Sequence, residues 1–158
     1  MATQHKSVAL PLALAYAALI VYASLYPFAD WRDQGIAPWA YLAAPWPKYW
    51  TAFDFGINVV GYMPLGFLAA IAVIRNRPGT GAVRAVLRAT AIGAAISFAM
   101  ETLQSYLPAR IPSNVDLGLN IAGALAGAVT AAALARLGAV AHWQRTRAHW
   151  FFEDSRGG

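Results

Sequence analysis

Long apolar runs separated by short polar interruptions set the plan of this chain. Residues 8–28 and 55–74 contain no charged side chain, residues 85–107 contain Arg88 and Glu101, and residues 116–138 contain Asp116 and Arg136. A helix needs about 20 predominantly apolar residues to cross a hydrocarbon core of about 30 Å. The pattern therefore predicts four membrane-spanning helices at these positions, forming one all-α membrane domain over residues 1–158. A cleaved signal peptide is the alternative for the first run, because Lys6 precedes it and Val21-Tyr22-Ala23 loosely resembles a cleavage site. The run is long for the apolar region of such a peptide.

The interruptions differ in character. Residues 30–53 are rich in Trp, Tyr and Pro, with Trp39, Tyr41, Trp46, Tyr49 and Trp50 among Pro38, Pro45 and Pro47. Aromatic rings with polar tips favour the headgroup zone and closely spaced prolines forbid a continuous helix, which predicts an interfacial loop with room for one short helix. That loop serves as a membrane anchor or as a lid over polar residues. The second interruption holds Arg75, Arg77, Arg84 and Arg88 with no acid among them, around the turn-forming Pro78-Gly79-Thr80-Gly81. After the fourth run, Arg136, His142, Trp143, Arg145, Arg147, His149 and Trp150 predict a basic, aromatic extension lying along the inner surface.

Composition narrows the class. The hydrophobic fraction is 59% and the charged fraction 12%, with a mean hydropathy of +0.46. A soluble domain carries about 25% charged residues, so this chain lacks the polar surface of a water-soluble globule. The net charge of +5 then reads as cytoplasmic loops rather than a nucleic-acid surface. With four arginines between runs two and three, basic residues at both ends, and only Arg110 between runs three and four, the positive-inside rule puts both termini in the cytoplasm. There is no cysteine, which excludes disulfides and thiolate metal sites.

An internal repeat runs through the polar positions. Asp54-Phe-Gly-Ile-Asn58-Val-Val-Gly61 and Asp116-Leu-Gly-Leu-Asn120-Ile-Ala-Gly123 share the pattern D-x-G-x-N-x-x-G, each at the start of a returning helix. The preceding runs end in Ser24-Leu-Tyr-Pro27 and Ser105-Tyr-Leu-Pro108. Two helical hairpins repeated in parallel about an axis along the membrane normal are expected. Helix capping is the plain reading of Asp54 and Asp116, and interhelical hydrogen bonding that of Asn58 and Asn120. The glycines at 56, 61, 66, 118, 123 and 127 let helices approach closely.

The repeat also gathers Asp54 and Asn58 beside Glu101, Gln104, Arg110, Ser113, Asp116 and Asn120, near the outer leaflet. Glu101 and Gln104 (i, i+3) share one helix face, as do Asp116 and Asn120 (i, i+4). Glu101 lies roughly 20 Å along its helix from Arg88. A carboxylate facing lipid there would cost on the order of 2.5–3.5 kcal/mol or more, so it must face the bundle, paired or protonated. A Glu101–Arg110 ion pair is one resolution; a headgroup pocket using both is the other. Its acidic balance would suit a hard cation through oxygen ligands, and Arg110 would suit phosphate or carboxylate. All three histidines fall on the cytoplasmic side and no zinc spacing or phosphate-cradling loop occurs, so no catalytic residue, metal or cofactor is assigned.

Glu101-x-x-Gln104 followed by Arg110, Ser113, Asp116, Asn120 and Gly123 resembles the signature E-x-x-Q…R-x-x-S-x-x-D-x-x-x-N-x-x-G of the VanZ-like family. Ser24-Leu25-x-Pro27 and Asn58…Pro64-Leu65-Gly66 resemble its other recurrent pieces, so the resemblance spans the first run through the fourth. It implies an integral membrane protein acting at the outer leaflet near lipid-linked envelope precursors, with a bearing on susceptibility to the lipoglycopeptide teicoplanin. The expected partners are membrane lipids or such a precursor, and not nucleic acid; the oligomeric state is left open. The competing readings are a membrane enzyme on a phospholipid or polyprenyl phosphate, a proton or ion pathway, and a purely structural polar cluster. The apolar character of runs two and four below Asn58 and Asn120 weighs against the pathway.

Overall fold

The protein is described by a computed structural model at residues 7–47, 51–77 and 79–138. Within them the chain is all-helical: α1 is Ala9–Leu25, α2 is Ala52–Asn76, α3 is Ala82–Gln104 and α4 is Asn114–Arg136. No strand occurs among the described residues. Helices α2, α3 and α4 are long and apolar enough to cross a membrane, whereas α1 has 17 residues, about 25 Å at 1.5 Å per residue. The expected first span thus ends sooner, at Leu25 before Tyr26-Pro27, where proline has no amide hydrogen with which to continue a helix. The proposed extension beyond Arg136, the charges of both termini, and Lys48, Tyr49, Trp50 and Pro78 lie outside the described residues.

Capping sets the other boundaries. Thr51 caps α2, its hydroxyl accepting from Asp54 N at 3.1 Å while the Asp54 carboxylate takes Thr51 N at 2.9 Å, a reciprocal capping box. Ser113 caps α4, its hydroxyl accepting from Val115 N and Asp116 N at 3.1 and 3.4 Å. Both helices therefore begin two or three residues before the apolar pattern alone suggests. Asp54 and Asp116 each fall three residues past the cap.

The core is a seam between α2 and α4, which run parallel: Gly123 lies against the backbone of Val59, and Gly127 against those of Met63 and Phe67. A side chain at either glycine, or at Gly66 opposite Ala124, would collide with main-chain atoms. Gly56, Gly61 and Gly118 meet nothing, so three of the six glycines expected to let helices approach closely, Gly66, Gly123 and Gly127, do so. Around the seam, Ala70, Ala89, Ala124, Ala128 and Ala131 are fully buried. Small residues of this kind let membrane helices gain dispersion contacts where lipid offers no hydrophobic drive.

Residues 27–47 fold over the ends of α3 and α4 with one 3-10 turn, Ala40–Ala43. Arg32 N and Gln34 Nε2 donate to the carbonyls of Tyr106 and Ser105 at 3.0 and 2.7 Å, and Asn114 Nδ2 donates to Ala44 O at 2.8 Å. Tyr41 is buried with its hydroxyl 3.4 Å from Thr102 Oγ1, while Trp39 and Trp46 are exposed.

Candidate functional site

The two aspartates of the repeat occupy equivalent cap positions, and their carboxylates do different things. Asp54 is spent locally, on the backbone and hydroxyl of Thr51 at 2.9 and 2.8 Å, and is exposed. In α4 the corresponding bond to the cap residue's N–H is made from another helix: Glu101 Oε2, from α3, accepts from Ser113 N at 2.8 Å. With that position filled, Asp116 turns toward α2 and accepts from Asn58 Nδ2 at 2.9 Å. One borrowed cap thus ties α3 to α4, and the displaced carboxylate ties α4 to α2.

Below this layer Asn120 donates from Nδ2 to Ser97 Oγ at 2.9 Å. Its Oδ1 is buried without a hydrogen-bond partner, and so is the Tyr62 hydroxyl, which faces Ser97 and Glu101 without reaching regular hydrogen-bond geometry. Glu101, Asn120 and Tyr62 are only 4%, 5% and 5% exposed. A buried polar atom left unpaired costs roughly 1–3 kcal/mol; of the three such side-chain atoms among the described residues, these two belong to residues that line one cleft, and the third is Thr90 Oγ1.

On the open side of these residues is a cleft of about 630 Å³. One wall is α1, through Tyr16, Leu19, Ile20 and Ala23; the other carries Asn58, Tyr62, Glu101, Gln104, Asp116 and Asn120. Arg110 stands at its edge. Of the two resolutions open for Glu101, the ion pair with Arg110 does not form: Arg110 Nη2 donates to Ala23 O and Tyr26 O at 3.0 and 2.8 Å, and Gln104 Nε2 donates to Ser24 O at 3.0 Å. The carbonyls at the end of a helix have no partners within it, and these two side chains supply them for α1. Tyr16 Oη donates to Gly61 O at 3.0 Å farther down and pins α1 to α2.

Six of the eight residues expected from the sequence, Asn58, Glu101, Gln104, Arg110, Asp116 and Asn120, line one cleft. Asp54 and Ser113 do not line it and act as caps. No three His, Asp or Glu side chains among the described residues come together as a metal site.

Residues 5–136 match the sequence model described as VanZ/LLP1. The chain belongs to the VanZ/LLP1 family. The match covers all four helices and every residue of the cleft. No curated protein and no solved structure matches the chain. Tyr62 and Ser97 are cleft-layer residues that the motif of this VanZ/LLP1 chain does not mark. Each stands four positions from a marked residue, Tyr62 after Asn58 and Ser97 before Glu101, where helix geometry puts it on the same face.

Proposed function

We propose that this protein binds the headgroup of a lipid or lipid-linked envelope precursor in the cleft between α1 and α2–α4, without catalysing a reaction on it. The observation that carries the reading is a pair of cavities of opposite character along α1. The first is polar and holds two buried, unpaired hydrogen-bonding atoms. The second, of about 510 Å³, is lined by Leu10, Leu14, Leu65, Ala69 and Val73, with Asn76 and Arg77 also on its wall. A polar chamber and an apolar groove against the same helix suit an amphiphile better than a water-soluble solute.

In this reading α1 crosses the membrane with the other three helices, its short length met by modest bilayer thinning or flanking residues. The arginine-rich turn faces the cytoplasm of a bacterial inner membrane with both termini, which puts the cleft's polar end in the outer leaflet. The repeated hairpins are related by an axis along the membrane normal, consistent with α2 and α4 running parallel. Residues 27–47, with exposed Trp39 and Trp46, sit in the outer interface. If the bound headgroup is a peptidoglycan precursor, susceptibility to teicoplanin changes with occupancy. Reporter fusions are expected to place residues 79–81 on the cytoplasmic side; an external reading there would remove the outer-leaflet assignment.

A structural reading of the polar cluster has support at Gln104 and Arg110, whose hydrogen bonds hold α1. It leaves Asn120 Oδ1 and the Tyr62 hydroxyl unexplained. Native mass spectrometry of protein released from membranes separates the two readings. A defined lipid or lipid-linked species is expected on the wild type and is expected to fall at least about tenfold in Glu101→Gln, the effect of losing one charge-assisted hydrogen bond. Identical, nonspecific lipid on both forms would leave the cluster a packing device.

A further inference from the structure

The cleft's polar lining has a one-sided chemistry, and this identifies the headgroup class, given the lipid-binding reading above. Each amide in the lining is committed to a protein acceptor through one of its two N–H bonds: Asn58 Nδ2 to Asp116, Asn120 Nδ2 to Ser97 and Gln104 Nε2 to Ser24 O. Arg110 has its Nη2 on the end of α1 and stands at the edge, next to exposed Ala109 and Ile111. Acceptors are left over: Asn120 Oδ1, which is buried and unpaired, one oxygen each of Glu101 and Asp116, and the Tyr62 hydroxyl, which serves either way.

Bare phosphate is the wrong complement for that lining, because anionic oxygens would meet two carboxyl groups and a carbonyl. Among the described residues the two carboxyl groups have no third acidic or histidine partner that would make a metal site. A group that is cationic and carries several N–H donors matches both the charge and the acceptors.

We propose that the cleft is a receptor for a primary ammonium group, which donates its N–H bonds to Glu101, Asp116 and Asn120 Oδ1. An ammonium has three donors and no acceptor, so it satisfies these three without leaving an unmatched lone pair. Tyr62 stands beside Asn120 as a further polar contact. The ammonium has two possible sources, a lipid headgroup or a free amine.

The test is a competition on the purified full chain in vesicles containing equal amounts of phosphatidylethanolamine, phosphatidylcholine and phosphatidylglycerol, with bound lipid read by native mass spectrometry. Phosphatidylethanolamine is expected to exceed phosphatidylglycerol by about tenfold, the scale of a charge-assisted hydrogen bond. Phosphatidylcholine, a cation without N–H bonds, is expected to do no better than phosphatidylglycerol. Glu101→Gln and Asp116→Asn are expected to bring the ratio close to parity, with folding checked by thermal unfolding; asparagine at 116 still accepts from Asn58. Equal binding of all three lipids, or of the choline and ethanolamine lipids, would overturn the ammonium assignment and leave the lipid site standing. Saturable binding of free ethanolamine in vesicles of phosphatidylglycerol alone, with no lipid preference, would support the ammonium receptor and overturn the lipid reading. No selectivity for any lipid together with no ethanolamine binding would overturn both.

Discussion

Gly127→Val is expected to abolish the folded bundle. A side chain at this position points at the carbonyl of Met63 and the amide nitrogen of Phe67. Neither is a flexible side-chain end that can move aside. Helices α2 and α4 would have to separate by the thickness of a methyl group or more, and Ala124, Ala128 and Ala131, all fully buried, would lose their contacts together. Overpacking against movable side chains costs about 1–3 kcal/mol; against main chain along the central seam the cost is expected to exceed about 3 kcal/mol. That is a large part of a total stability on the order of 5–15 kcal/mol. Unfolding in increasing denaturing detergent, followed by circular dichroism, measures the effect. Gly118→Ala is the matched control, because nothing lies within 4 Å of a side chain there. It is expected to be neutral or stabilising by about 0.5–1 kcal/mol through helix propensity. Equal loss in the two variants would mean that close approach of α2 and α4 is not what holds the bundle.

The contrast between these glycines shows what the sequence can tell and what it cannot. Apolar run length was enough to locate three long helices, and Asp54 and Asp116 were legible as capping-region residues at the starts of α2 and α4, whereas the caps themselves, Thr51 and Ser113, were not. Which glycines touch a neighbour was not legible, because periodicity places a residue on a face without saying what that face meets. The two copies of D-x-G-x-N-x-x-G are alike in sequence and diverge in space. Asp54 closes its own capping box, whereas Asp116 is displaced to Asn58 because Glu101 arrives from α3 to take the Ser113 amide. That exchange depends on where α3 ends, which only packing decides. Glu101 itself was legible as buried, since a carboxylate so far along an apolar helix must face inward, but its hydrogen-bond partner, the Ser113 amide, was not. The nearest cation in sequence, Arg110, finds two carbonyls of α1 instead. Tyr62 and Ser97 were hidden because, read singly, a tyrosine and a serine in a membrane helix carry no mark of a site.

Arg110→Met is expected to loosen the end of α1 without unfolding the other three helices. Its Nη2 makes both hydrogen bonds to Ala23 O and Tyr26 O; α1 is also held by hydrogen bonds from Gln104 to Ser24 O and from Tyr16 to Gly61 O, and by packing of Ile20 and Leu25 against Tyr62, Leu65 and Met100. Hydrogen bonds from a charged donor contribute about 1.5–3 kcal/mol each, but these are exposed, so a joint loss of about 2 kcal/mol is expected. Methionine keeps most of the aliphatic stem and removes the donors. Amide exchange of residues 21–28 is expected to speed up roughly thirtyfold, while exchange in α2 and α4 holds. Because α1 is one wall of the cleft, bound lipid is expected to dissociate faster at an unchanged headgroup preference. A role in gripping the ligand gives the opposite pattern: exchange at the end of α1 unaltered and the lipid preference changed. The two measurements on one variant therefore assign Arg110 either to the wall of the cleft or to what the cleft holds.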